Sequence, residues 1–242
     1  MEFKHKRSRI NEYDTKNMKR NYLEAIFIKE GKHRFVCTIL VDGVLTECYV
    51  SSSSKLSNYV KLENEKVLVL KNEDDKLRTR FTLEAAIIGS QHLYLNFNNT
   101  NYLYREYLLS IGYDERIIQR ETLVNGLVKT DFFIGNTDCI EVKSLLSIEK
   151  YILFPDKSSK RIGNQLKQYI KLLQIGTPVT FAFVAMSKHT TYLKWSNYDI
   201  KNEFIKAINL GLKIEVFSVI YKKNSFKLIK NDILRNHITA NL

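Results

Sequence analysis

The nine residues Pro178-Val179-Thr180-Phe181-Ala182-Phe183-Val184-Ala185-Met186 are almost unbroken in apolar character. A strand with one solvated face alternates, so a strand with no alternation is covered on both faces. Covering it takes helices, and the flanking sequence supplies them. Upstream, Ile162, Leu166, Tyr169, Ile170 and Leu173 share one face of a helix. Downstream, Asn202–Leu210 reads as a helix ending at Gly211, followed by a strand over Lys213–Tyr221. Together with strands predicted at Ile117–Val124, Leu127–Ile134 and Asp138–Leu145, this gives a mixed sheet with helices packed over it.

The first hundred residues have a different texture. Short apolar runs recur at Tyr22–Ile28, Arg34–Leu40, Leu45–Val50, Val67–Leu70, Arg80–Ile88 and His92–Phe97. Asp42-Gly43 between two of them is a type I′ hairpin signal, and Asn125-Gly126 repeats it later. Five or six short strands in so few residues predict a small, closed or half-closed OB-like barrel. The pattern changes near Asn98, where a helix is expected over Tyr102–Ser110. Residues 1–20 hold seven Lys/Arg against three Asp/Glu with little periodicity, and are expected to be a basic arm. The division is therefore 1–20 arm, 21–98 barrel and 99–242 mixed-sheet domain.

Lys and Arg number 38 against 26 Asp and Glu, a net charge of +12. That surplus favours a polyanionic partner, nucleic acid before membrane, although a lysine-rich proteome would produce the same figure. The three cysteines, Cys37, Cys48 and Cys139, form no C-x-x-C pair and sit in strand-like runs. Buried thiols in a reducing compartment follow, and with no apolar run of membrane length and no signal-peptide core the expectation is a cytoplasmic protein with no membrane partner. The five histidines show no zinc-ligand spacing, and no Gly-rich phosphate loop or Ser-His-Asp grouping is legible.

Chemistry concentrates in Lys129–Ser144. Two apolar runs, Lys129-Thr130-Asp131-Phe132-Phe133-Ile134 and Asp138-Cys139-Ile140-Glu141-Val142-Lys143-Ser144, flank a polar turn and predict a hairpin. Alternation puts Glu141 and Lys143 on one side of their strand. Asp131 can join them from the partner strand if the register allows. Two carboxylates and an ammonium suit a hard divalent cation and a lysine set against a nucleophile or developing charge. An Asp, about ten residues, then Glu-x-Lys is the pattern of PD-(D/E)xK nucleases; an ordinary exposed Glu-Lys pair also fits. Glu106, on the helix after Asn101, is a candidate further carboxylate, with a plain surface glutamate as the alternative.

From Lys157 to Lys171, both included, there are five basic residues and no acidic one. Lys160, Asn164, Lys167 and Lys171 share the helix side opposite the apolar stripe, with Arg161 beside them, which suits a phosphate backbone. Leu153-Phe154-Pro155-Asp156 reads as a turn before this helix, and Trp195 and Tyr192 as packing residues.

In order, these motifs resemble the sugar fermentation stimulation protein A family over about His33–Ile220. Arg34-Phe35-Val36 resembles its opening strand. Leu95-Asn96 with Asn101 and Glu106 resembles its V-N-T-x-x-x-N segment and helix glutamate. Lys129-Thr130-Asp131-Phe132 resembles R-x-D-F, Glu141-Val142-Lys143-Ser144 matches E-V-K-S, and Leu153-Phe154-Pro155-Asp156 matches L-F-P-D. There are departures. Ser51-Ser52-Ser53-Ser54-Lys55-Leu56 replaces the family's P-N-T-G-R-[ML] loop, Lys160 stands for a Glu and Gln165 for a His.

The resemblance implies an α/β (α+β) chain: an N-terminal OB-like β-barrel followed by a restriction-endonuclease-like mixed-sheet domain with flanking helices. It also implies metal-dependent phosphodiesterase activity on DNA, with RNA as a second substrate. On this reading Asp131, Glu141 and the Val142 carbonyl hold Mg²⁺ or Mn²⁺, and Glu106 assists through water. Lys143 orients the attacking water or offsets charge. Lys55, Lys160, Arg161, Lys167 and Lys171 contact nucleic acid with low sequence specificity. A second copy of the chain is a further candidate partner. The alternative is a non-catalytic DNA-binding module linked to sugar fermentation genes, motivated by the departures. No sugar-site motif is present.

Overall fold

A computed structural model describes residues 21–52, 55–74, 77–155 and 159–242. The predicted arm at 1–20, and Ser53, Ser54, Asp156 and Lys157 of the predicted motifs, lie outside the described residues.

Six strands come first: β1 (Tyr22–Glu30), β2 (Val36–Val41), β3 (Val44–Tyr49), β4 (Lys66–Lys71), β5 (Phe81–Ile88) and β6 (Gln91–Tyr94). Their order is β3-β2-β1-β4-β5-β6, and β3 returns to pair in parallel with β5 at Cys48↔Phe81 and Tyr49↔Thr82. The first five strands thus close into a ring. The β2–β3 turn has Asp42 at φ 50° and Gly43 at φ 76°, the left-handed pair a type I′ turn requires. Alternation sends Cys37, Ile39 and Val41 inward with Phe27, Val67, Val69 and Leu83, all buried. Each such large apolar side chain is worth about 1.5–3 kcal/mol in transfer from water. The three cysteines are free and buried.

Next come a 3-10 turn at Phe97–Asn99, then α1 (Thr100–Ser110), β7 (Ile118–Val124), β8 (Val128–Ile134), β9 (Asp138–Leu145), β10 (Tyr151–Phe154) and α2 (Ser159–Gln174). The chain finishes with β11 (Val179–Ala185), β12 (Tyr192–Trp195), α3 (Tyr198–Asn209), β13 (Lys213–Tyr221), β14 (Phe226–Lys230) and α4 (Asp232–Ala240). The second sheet has the order β14-β13-β11-β9-β8-β7. Strands β9, β11 and β13 run parallel, connected through α2 and α3, while β7-β8-β9 are successive antiparallel hairpins. Their turns are set by left-handed residues, Asn125 and Gly126 in one and Gly135 and Asn136 in the other.

The apolar run at β11 lies at the centre of this sheet, buried throughout except for half-buried Thr180. One face, with Phe132, Ile140, Val142, Ala182, Val184 and Phe217, packs on α1 and is continuous with the core of the ring. The other, with Phe181 and Phe183, packs on Leu166 and Tyr169 of α2, Phe204 of α3 and Leu234 of α4. The ring and second sheet also meet through the backbone, where the Tyr94 N–H donates to the Met186 carbonyl at 2.9 Å. No helix among the described residues is long and apolar enough to cross a membrane.

Several elements differ from the sequence expectation. Leu153 and Phe154 belong to β10, which pairs in parallel with β12, rather than to a turn. Four residues are too few for periodicity to separate a strand from a turn before Pro155. Strand β14 and helix α4 were not anticipated; α4 is short and its apolar stripe is only Leu234 and Ile238. Helix α3 starts at Tyr198 because Asn197 caps it, its side chain accepting from Ile200 N–H at 3.1 Å.

Candidate active site

The predicted hairpin forms, and its two strands part where the carboxylates sit. The β8–β9 ladder pairs Ile134 with Asp138, Phe133 with Cys139 and Phe132 with Ile140, and stops there. Side chains of β8 then take over the backbone's role. Thr130 Oγ1 donates to the Ile140 carbonyl at 2.8 Å, and Asp131 Oδ2 accepts from the Val142 N–H at 2.8 Å. A strand residue presents its N–H and C=O to the same neighbour. The Val142 carbonyl therefore also leaves β9 on the side of the Asp131 carboxylate, in the gap between strands.

Asp131 and Glu141 line one polar cleft of about 320 Å³, with Asn98, Asn101, Arg120, Lys143 and Arg161 around them. Each carboxylate is held by a helix from a different face of the sheet. Asn101, in the first turn of α1, donates from Nδ2 to Asp131 Oδ1 at 3.0 Å. Glu141, only 4% exposed, is held by α2: Gln165 Nε2 donates to Oε1 at 2.7 Å and the Tyr169 hydroxyl to Oε2 at 2.5 Å. Lys143 is on the same side of β9, as alternation predicts. Its Nζ lies 2.5 Å from Glu141 Oε1 and donates to Gln165 Oε1 at 2.8 Å.

Burial raises the Asp131 pKa above the usual carboxylate range, and the Glu141 charge adds to it; the Val142 N–H, Asn101 and Lys143 pull the other way. Burial and the adjacent Glu141 carboxylate push the Tyr169 hydroxyl well up, so it stays a donor. A pair of mutually repelling carboxylates beside an inward-leaving carbonyl is an oxygen-rich donor set that a hard divalent cation fits. Among the described residues no three His, Cys, Asp or Glu side chains gather as a metal cage. The set here is two carboxylates and a carbonyl.

Glu106 is not brought to the cleft. Five positions at about 100° each carry it roughly 140° round α1 from Asn101. It is exposed and pairs with Arg105 at 2.8 Å, which also pairs with Glu115. The surface alternative describes it. On α2, Arg161, Gln165 and Tyr169 follow one another at four-residue steps along the site side, with Arg161 at the cleft rim. Lys160, Lys167 and Lys171 are exposed. Lys55 is exposed on the ring, next to Leu56 and Ser57, whose N–H groups the Glu30 carboxylate accepts. Ser51, from the departing loop, accepts from the Asn98 N–H at 2.7 Å and so ties the ring to the cleft wall.

Sequence reasoning did not assign Tyr169, Gln165, Asn101 or Arg120 to the site. Tyr169 was readable only as part of the apolar stripe. Its signal was a hydroxyl that needs a partner when buried. Gln165 stood out only as a departure, and in fact hydrogen-bonds both Glu141 and Lys143.

Residues 98–225 match the family described as "Sugar fermentation stimulation protein RE domain". The chain is 24% identical over 228 residues to a "Sugar fermentation stimulation protein homolog" of Clostridium beijerinckii, covering 92% of this chain and 95% of that protein. It is 26% identical over 218 residues to the homolog of Ruminiclostridium cellulolyticum, covering 81% and 89%. Among solved structures it is similar to Pyrococcus furiosus SfsA in complex with Ca²⁺, with a TM-score of 0.69 at 18% identity over 87% of this chain and 93% of that one. That last likeness is one of fold. The family description matches more than half of the residues, and the chain belongs to the sugar fermentation stimulation protein family.

Proposed function

We propose that the protein is a divalent-cation-dependent phosphodiesterase acting on nucleic acid with low sequence specificity. The observation that carries this is the parting of β8 and β9, which turns Asp131, Glu141 and the Val142 carbonyl toward one polar cleft. Mg²⁺ or Mn²⁺ held there would supply an activated water and offset charge on the phosphate in the transition state. That a relative of the same fold is described in complex with Ca²⁺, also an oxygen-seeking cation, supports the assignment.

The chain's own residues have definable parts in this. Gln165 and Tyr169 fix the Glu141 carboxylate from below, as outer groups around a cation ligand do. Lys143 keeps its ammonium at the cleft, where it can orient water or meet developing negative charge. Arg120 and Arg161 bring guanidinium groups to the rim and suit phosphate oxygens. Lys160, Lys167 and Lys171 are exposed on the side of α2 turned away from Gln165, so with Lys55 they add positive charge outside the cleft, which would attract a backbone without base reading.

A second reading has an observation of its own. Glu141 Oε1 already accepts from both Lys143 and Gln165, a satisfied network that needs no cation. On that reading the cleft is part of a non-catalytic nucleic-acid-binding module. Incubating the protein and Asp131→Ala with labelled single- and double-stranded DNA and RNA, with and without Mn²⁺, separates the two. Cation-dependent cleavage lost in the variant supports the enzyme. Salt-sensitive binding with no cleavage by either protein leaves the binding module.

A further inference from the structure

We infer that the end of the ring carrying Arg34, Phe35 and Tyr49 is a stacking site for unpaired nucleobases, so that the substrate class is single-stranded nucleic acid running from this site into the cleft. The inference rests on the proposed nucleic-acid function and narrows it. Phe35 is a large aromatic residue left 43% exposed just before β2. It lies parallel to Tyr49 at the end of β3, with ring centroids 6.5 Å apart and planes at 14°. The Arg34 guanidinium sits over the Phe35 ring, 4.6 Å from its centroid. Both ring positions are fixed by backbone pairing. Val36 is opposite Tyr49 in the β2–β3 ladder, and the Val50 N–H donates to the Phe35 carbonyl at 2.9 Å.

The site is continuous with the cleft. Asn98, which lines the cleft, donates from Nδ2 to the Tyr49 hydroxyl at 3.1 Å. A strand leaving the carboxylates past Asn98 therefore meets Tyr49 and then Phe35. The surroundings are complementary to a polyanion, since Lys32, Arg34 and Lys55 are all exposed there. Aromatic rings and an arginine plane beside a basic groove bind strands whose bases have free faces. In a duplex those faces are covered by neighbouring base pairs, so this arrangement selects a single strand. A base arriving on Phe35 takes the place of the Arg34 guanidinium, which turns to a phosphate.

The test is fluorescence anisotropy in EDTA, with labelled oligo(dT) and a duplex of the same length, so that no cation-dependent cleavage enters. Phe35→Ala is expected to weaken oligo(dT) binding by roughly tenfold or more and to leave duplex binding within about twofold. Phe35→Trp is expected to retain oligo(dT) affinity, and its added emission, over that of Trp195, should be quenched by the oligonucleotide. The proposal is overturned if Phe35→Ala leaves oligo(dT) binding unchanged, or weakens duplex binding as much. Should Phe35→Ala lower the unfolding midpoint, the tryptophan decides: emission unmoved by saturating oligo(dT) overturns it. Cleavage that depends on Asp131 with binding indifferent to Phe35 defeats only this inference. Binding that depends on Phe35 with no cleavage under any cation defeats only the phosphodiesterase.

Discussion

The two carboxylates of the cleft are held in opposite ways. Asp131 is approached from the α1 side by the amide of Asn101 and by a backbone N–H, both neutral donors. Glu141 is approached from the α2 side by Gln165 and Tyr169, and also has the Lys143 ammonium against it. The difference shows in their electrostatics. Burial and the charge of Glu141 raise the Asp131 pKa, with Lys143 among the groups opposing the rise, while the Lys143 ammonium is in direct contact with Glu141. Asp131 is the carboxyl whose ionisation its surroundings oppose, so on the proposed function it is the one a bound cation would shift toward the ionised form. Glu141 is the preorganised half of the pair and Asp131 the responsive half.

The largest expected effect is at Asp131. Asp131→Ala should lower Mn²⁺-dependent cleavage by about 10²-fold or more, since cation stabilisation of a phosphoryl transition state is worth several kcal/mol. Initial rates on a labelled oligonucleotide would measure it. Next, removing the support of the preorganised half, by Tyr169→Phe or Gln165→Ala, should weaken Mn²⁺ affinity by roughly 10–100-fold in a calorimetric titration while both carboxylates remain. Equal affinity for variant and wild type would mean that α2 does not orient Glu141.

A third prediction uses pH without added cation. The native pKa of Asp131 is raised, so its stabilising contribution is complete below the ordinary carboxylate value of about 4 and is lost as pH rises through the native pKa. Asp131→Asn, which cannot ionise, should therefore unfold at a higher temperature than wild type near neutral pH and lose that advantage in acid. Saturating Mn²⁺ should reverse the order by stabilising only the wild type. Smaller still, Lys167→Ala and Lys171→Ala should each reduce the salt slope of nucleic-acid binding by about one and leave cation affinity unchanged. The smallest effect belongs to Glu106→Ala. From its outward position, cleavage and cation affinity should stay within about twofold of wild type.

How much of this was visible in the chain depended on range. The Asp42-Gly43 and Asn125-Gly126 turns, the alternation that sets Glu141 and Lys143 on one side, the α2 stripe and the doubly buried β11 are local patterns, and each formed where expected. Helix α4 and strands β10, β12 and β14 were not legible because they are short and gain their order from what they pack on. The same division runs through the site. Asp131, Glu141 and Lys143 stood out by spacing. Asn101, Gln165 and Tyr169 did not, because they come from helices on two faces of the sheet and 22 to 30 residues away in sequence.

The sequence by itself determined that a central strand had to be covered on both sides, and that Glu141 and Lys143 would share one side of their strand. Those properties follow from side-chain period and composition, which act over a few residues. The tertiary structure alone decided that β8 and β9 part at Thr130 and Asp131, that Glu106 faces solvent while Asn101 faces the cleft, and that Tyr49 links an exposed aromatic step to the cleft wall. Helix phase against a sheet and the meeting of distant loops are set by how whole layers pack, and no local period in the chain encodes them.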